Sequence, residues 1–136
     1  MKQVSGGVCA AKGFQAAGVH CGFRANPNKK DLALIVADVR CTAAGMYTSN
    51  KVKGAPITVD KAHLTAQAIL VNSGNANTCA ANGIDLANEC CRLAAGALGL
   101  KEEDILPSST GVIGQPMTID PFAKGIPEAV AQLAGG

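Results

Sequence analysis

The sequence predicts an α+β domain built as a layered sheet, and three observations carry that prediction. Strand-like stretches crowd the first half of the chain and helical periodicities the second, the order of an α+β fold rather than an alternating parallel one. Apolar residues make up 48% of the composition and aromatics 3%, so the core must be assembled from Ala, Val, Ile and Leu. With 16 glycines and small side chains, the layers can pack closely and the turns can be sharp. A length of 136 residues fits a single domain spanning 1–136, large enough to fold without metal or disulfides.

The elements follow in order. "GFQAAGVHCGF" (13–23) and "KDLALIVADV" (30–39) read as two strands, the second continuously apolar as a buried strand is. Between them "RANPNKK" (24–30) has the Asn, Pro and Lys of a solvated hairpin connection. "AGMYTSN" and "PITVD" are expected to be short strands, and "TAQAILVNSG" (65–74) a strong one. From Ile84 to Leu98 the apolar positions Leu86, Cys90, Leu93 and Ala97 recur at helical spacing, with Gly99 placed for a left-handed cap. Asp104 to Pro107 reads as a strand, and "SSTGVIG" (108–114) as the glycine-rich loop after it. A last helix is expected after Thr118 as N-cap, with Asp120 favourable near the positive helix end and a kink or restart at Pro127.

Several functions are disfavoured. The formal charge of +2 is small, its lysines and arginines are scattered, and there are few aromatic platforms, so no nucleic-acid groove is expected. Apolar runs such as "LALIVA" (32–37) stop far short of a membrane span. The N-terminal stretch has no continuous apolar segment of signal-peptide length, which gives the expectation of a cytoplasmic chain. The six cysteines contain no C-x-x-C and the two histidines no paired ligand spacing, so buried thiols are expected rather than a zinc site. "HC" (20–21) would put a base beside a thiol, but adjacent strand residues point to opposite faces. There is no G-x-x-x-x-G-K-S/T, no G-x-G-x-x-G and no G-x-S-x-G, and neither a nucleotide nor any other cofactor is expected.

Two stretches are left to carry chemistry. "VNSGNAN" (71–77) can either orient a ligand or stitch a strand to the next helix with its side chains. In "SSTGVIG" a Thr-Gly pair at a strand end can aim a hydroxyl and a backbone N–H at one point, as the stabilisation of a developing oxyanion requires. Read as a turn, the same segment offers only solvated hydroxyls.

Together, "AAKGFQAAGVHCGF", "KKDLALIVADVRCTAAGMYTSNKVKGAPI", "QAILVNSGNANTC" and "SSTGVIGQPM" resemble, over nearly the whole chain, the ornithine acetyltransferase family, the glutamate N-acetyltransferases of arginine biosynthesis. The resemblance implies a precursor that cuts itself at an Ala-Thr bond. The new N-terminal Thr of the downstream (beta) chain would take acetyl from N2-acetylornithine and pass it to glutamate; some members also accept acetyl-CoA. It further implies an αββα-type sandwich completed by that second chain, and a heterotetramer of two upstream and two downstream chains. An N-terminal Thr carries its own base, an α-amino group whose reference pKa is about 8, so no histidine is needed.

None of the threonines, at 42, 48, 58, 65, 78, 110 and 118, follows an Ala, so the nucleophile is not in this chain. "KGAP" (53–56) mimics the cleavage motif, but Pro56 has no hydroxyl and stands too early. The resemblance therefore matches the upstream (alpha) chain, with "AQLAGG" expected to stop short of the cleavage site. It assigns Thr110 (hydroxyl) and Gly111 (backbone N–H) to the oxyanion hole, and leaves the Asn residues of "VNSGNAN" as candidates for shaping the site. Two other readings remain at this level: an N-terminal nucleophile amidohydrolase or aminopeptidase of related architecture, and a binding or thiol-redox module using the cysteines.

Overall fold

The computed structural model describes residues 3–135. Four strands, β1 (Phe14–Val19), β2 (Leu32–Thr42), β3 (Thr65–Asn75) and β4 (Ile105–Val112), form one sheet in the order β1-β2-β3-β4. Three helices accompany them: α1 (Ala55–Asp60), α2 (Gly83–Leu98) and α3 (Asp120–Ala131). The β1–β2 and β2–β3 pairs are antiparallel, whereas β4 runs parallel to β3 after the α2 crossover.

The register sorts the side chains into two faces. Val19, Leu32 and Asn72 stand side by side, as do Ala17, Leu34, Leu70 and Pro107, and these rows face the helices. Leu86, Cys90, Cys91 and Ala94 of α2 and Phe122, Ile126 and Ala129 of α3 close over them to form the core. Phe122 meets Phe23 edge-on, with ring centroids 4.8 Å apart. On the other face lie the row Ala16, Ile35, Ile69, Leu106 and the row Gly18, Ala33, Val71, Ser108. No helix of the described residues covers this second face, and Phe14 and Ile69 are exposed on it.

The expected hairpin, the strand from Thr65 and the helix up to Leu98 are all present, and Gly99 caps α2 at φ 69° with its N–H on the Ala95 carbonyl. Five expectations are corrected. "PITVD" is helical, because Pro56 sits in the first turn of α1, where its fixed φ suits a helix and its missing N–H costs nothing. "AGMYTSN" forms no strand and runs as an exposed segment, with the Tyr47 hydroxyl donating to the Asp60 carbonyl at 3.2 Å. Thr118 caps nothing; the N-cap is Ile119, and Pro121 shapes the first turn. α3 continues through Pro127 as one helix, held by the buried Ile126 and Ala129 on either side.

The fifth correction moves the site. Asp104 belongs to a short 3-10 turn, and "SSTGV" is not a loop but the second half of β4. It pairs with "NSGN" of β3: Asn72 with Ser109, Ser73 with Thr110, Gly74 with Gly111 and Asn75 with Val112. Of the described helices, none is long and apolar enough to cross a membrane.

Candidate active site

The two chemistry-bearing stretches of the sequence are thus one structure, the adjoining C-terminal ends of two parallel strands. Such ends, where strands give way to helix-bound loops, are where α/β sheets open toward ligands. Alternation of side chains then divides the four residues. Asn72 and Ser109 point to the helical side, and Ser73 and Thr110 to the uncovered side.

The inward pair is fully committed to hydrogen bonds. Ser109 Oγ donates to Asn72 Oδ1 at 2.6 Å and accepts the Asn77 N–H at 2.9 Å. Asn72 is 1% exposed, and its Nδ2 donates to the Asn75 carbonyl at 2.8 Å. Asn77 continues the chain from its own side-chain amide to the Gly83 carbonyl at 2.7 Å, at the start of α2. This run of neutral, hydrogen-bonded groups fixes where the two strands end, although the buried Asn77 Oδ1 has no partner among the described residues. Asn72 and Asn77 of "VNSGNAN" thus lie beneath the strand ends, whereas the Asn75 amide donates to the Pro116 carbonyl at 3.1 Å.

The outward pair is different. Among the described residues the Thr110 hydroxyl has only a long 3.5 Å contact, to the Asn72 carbonyl, so its proton is available to another acceptor. Gly111 beside it has φ +127°, and a Cβ there would lie 2.4 Å from the Gly74 carbonyl carbon. Only glycine fits. Gly74, at φ +110°, is also constrained though less severely, since a Cβ would come within 3.0 Å of the Phe23 carbonyl and 3.1 Å of the Arg24 stem.

That approach is organised by Asp31, which sequence reading passed over. Its buried carboxylate accepts the backbone N–H groups of Cys21 at 2.7 Å, Gly22 at 3.3 Å and Arg24 at 2.9 Å, with the His20 ring at 3.1 Å. Burial pushes the Asp31 carboxyl up, but the N–H groups of Cys21 and Arg24 outweigh it, and the carboxyl stays below its ordinary value. The turn 21–24 is thereby clamped over the end of β3, where Arg24 Nε donates to Ser73 Oγ at 3.2 Å.

The other titratable groups stand apart from this site. "HC" is no base-thiol pair: His20 faces Asp31, and burial with the Asp31 carboxylate raises the Cys21 thiol to about 12. Burial raises Cys90 and Cys91 as well, opposite to what a reactive thiol needs. At the far end of the sheet, burial raises Asp60 to about 6 with one carboxyl oxygen unpartnered, and the buried Asp104 is bridged by Arg40 at 2.6 Å and Thr65 at 2.7 Å.

The sequence and fold of this chain have counterparts among known proteins. The profile of the ArgJ family matches residues 15–135. The chain belongs to the ArgJ family. The arginine biosynthesis bifunctional protein ArgJ of Symbiobacterium thermophilum is 44% identical over 98% of this chain and 35% of its own length. A chloroplastic ArgJ from Ricinus communis is 43% identical over 96% of this chain and 29% of its own. The chain thus spans about a third of the curated ArgJ relatives it matches. Among solved structures, ArgJ of Bacillus halodurans superimposes with a TM-score of 0.87 at 37% identity, covering 94% of this chain and 69% of that one. The ornithine acetyltransferase of Mycobacterium tuberculosis, solved in complex with ornithine, gives 0.92 at 31% identity, covering 98% and 74%.

Proposed function

We propose that this chain is the alpha part of a glutamate N-acetyltransferase of arginine biosynthesis, spanning 1–136 of a self-cleaved precursor. It would supply the oxyanion hole, and the beta chain the N-terminal Thr nucleophile. One observation carries the reading within the ArgJ family: Thr110 presents a hydroxyl with no strong partner beside a glycine that nothing else can replace. The Thr110 hydroxyl and the Gly111 N–H would stabilise the tetrahedral intermediate as acetyl moves from N2-acetylornithine to the nucleophile and on to glutamate, with acetyl-CoA as a further donor. A donor of this kind is worth about 100- to 1000-fold in rate.

The second chain is supported by the uncovered sheet face. Ile35, Ile69 and Leu106 form an apolar row there, and a sheet with two apolar faces is stable only between two layers. The αββα sandwich would be completed on this face by the beta chain, with two copies of each chain in the assembly. The expected location is the cytoplasm, although several ArgJ relatives are chloroplastic.

Co-expression with the downstream chain tests the reading. The co-purifying polypeptide should begin with Thr, and the complex should move acetyl from N2-acetylornithine to glutamate. Glutamate giving no advantage over water would instead indicate the amidohydrolase.

A further inference from the structure

An aspartate is costly to bury unless its charge is met, and Asp31, which immediately precedes Leu32 of β2, is 2% exposed. Main-chain donors meet that charge. The carboxylate accepts the N–H groups of Cys21, Gly22 and Arg24, with the His20 ring alongside. Its backbone is committed as well, the N–H donating to the Val19 carbonyl at 2.9 Å and the carbonyl accepting the Ser73 N–H at 2.9 Å. Asp31 thus ties the end of β1, the turn 21–24 and the end of β3 to one point, and its bonds to the turn are charge-assisted, the strongest kind.

From this point to the oxyanion hole the contacts run backbone on backbone. A Cβ at Gly74 would meet the Phe23 carbonyl at 3.0 Å, and one at Gly111 would overlap the Gly74 carbonyl carbon and lie 2.7 Å from the Asn75 nitrogen. Turn, β3 and β4 are stacked there with no side chain between them to absorb a shift. A displaced Phe23 carbonyl therefore moves Gly74, and Gly74 moves Gly111, whose N–H must stand about 2.7–3.1 Å from the developing oxyanion.

We propose that Asp31 is a positioning residue for the oxyanion hole, holding the Gly111 N–H in place through the 21–24 turn and Gly74. The inference rests on the acetyl-transfer reading above. Asp31 is buried under the turn and acts only through it. The donor it aligns is used in the transition state and not in the ground state, so Asp31 acts on kcat rather than KM.

The test uses the complex of this chain with its downstream partner. Steady-state deacetylation of N2-acetylornithine is the readout, whether acetyl goes to glutamate or to water, and urea midpoints on the same preparations report folding separately. Asp31→Asn keeps the size of the side chain but sets an amide group against the N–H donors of the turn. It should lower kcat by about 10- to 100-fold and change KM by less than about twofold. Gly22→Ala reaches the same turn without touching Asp31, since its methyl meets nothing within 4 Å and acts only by straining the backbone at φ +108°. It should lower kcat by at least about fivefold, and it decides alone where Asp31→Asn does not assemble. Once the turn is released, a second change in it has nothing left to disturb, so the double variant should lose no more than about twice the larger single loss. Wild-type kcat in either assembled variant at a lowered urea midpoint, which is what a merely structural clamp gives, overturns the proposal. So does a loss confined to KM, or two losses that multiply. Hydrolysis of N2-acetylornithine without transfer to glutamate overturns the acetyltransferase reading instead, and the kcat ratios still decide Asp31. A wild-type complex that does not deacetylate N2-acetylornithine overturns both.

Discussion

The two sides of the paired segments "NSG" and "STG" are built from the same residue types and do opposite things. On the helical side, Ser109 links the Asn72 side chain to the Asn77 N–H, and both asparagine amides donate to backbone carbonyls. On the uncovered side, the Thr110 hydroxyl has only a long 3.5 Å contact, and Ser73 Oγ accepts from Arg24 Nε at 3.2 Å. What separates them is strand alternation alone. A hydroxyl becomes structural or functional by which face its position assigns it, and "SST" places Ser109 and Thr110 on opposite faces.

Four substitutions sharpen that contrast, in descending order of effect. Gly111→Ala removes both sides at once, since its methyl would overlap the Gly74 backbone at a φ that side chains rarely adopt. No assembled complex should be recovered by gel filtration. Thr110→Ala should cost about 100- to 1000-fold in acetyl transfer and leave the urea midpoint nearly unchanged. Ser109→Ala should do the reverse. It strands the Asn72 oxygen and the Asn77 N–H, lowering stability by about 1–3 kcal/mol in urea unfolding, with a smaller effect on turnover.

The fourth, at the far end of the sheet, concerns pH. Burial raises Asp60 to about 6 in the folded state from the usual 3.8, so the native state binds the proton more tightly than the unfolded chain. Stability is then fully present below about pH 3.8 and lost as pH rises through about 6. Asp60→Asn should flatten this part of the urea-midpoint profile and gain stability at pH 8, while changing little at pH 4.

How much of this was legible in the sequence varied with the range of the interaction. Gly99 as a cap and the "RANPNKK" connection are local chemistry and read directly. "PITVD" misled because its β-branched residues outweighed the more informative Pro56 at a helix start. "SSTGVIG" read as a loop because glycines and hydroxyls are turn residues in isolation, and only pairing with β3, more than 30 residues away, makes them strand. The assignment of Thr110 and Gly111 rests on family resemblance, and their register opposite Ser73 and Gly74 came only with the fold. Asp31 and Arg24 were not, since nothing local links an aspartate in "KKDLAL" to an arginine turn lying over a distant glycine.

The division of labour between the two faces is tested most directly by measuring turnover and urea midpoint on the same Thr110→Ala and Ser109→Ala complexes. The account predicts a crossing: Thr110→Ala loses two to three orders of magnitude in acetyl transfer at near wild-type stability, and Ser109→Ala loses about 1–3 kcal/mol of stability while retaining most of its turnover. Wild-type turnover in a folded Thr110→Ala complex would contradict it.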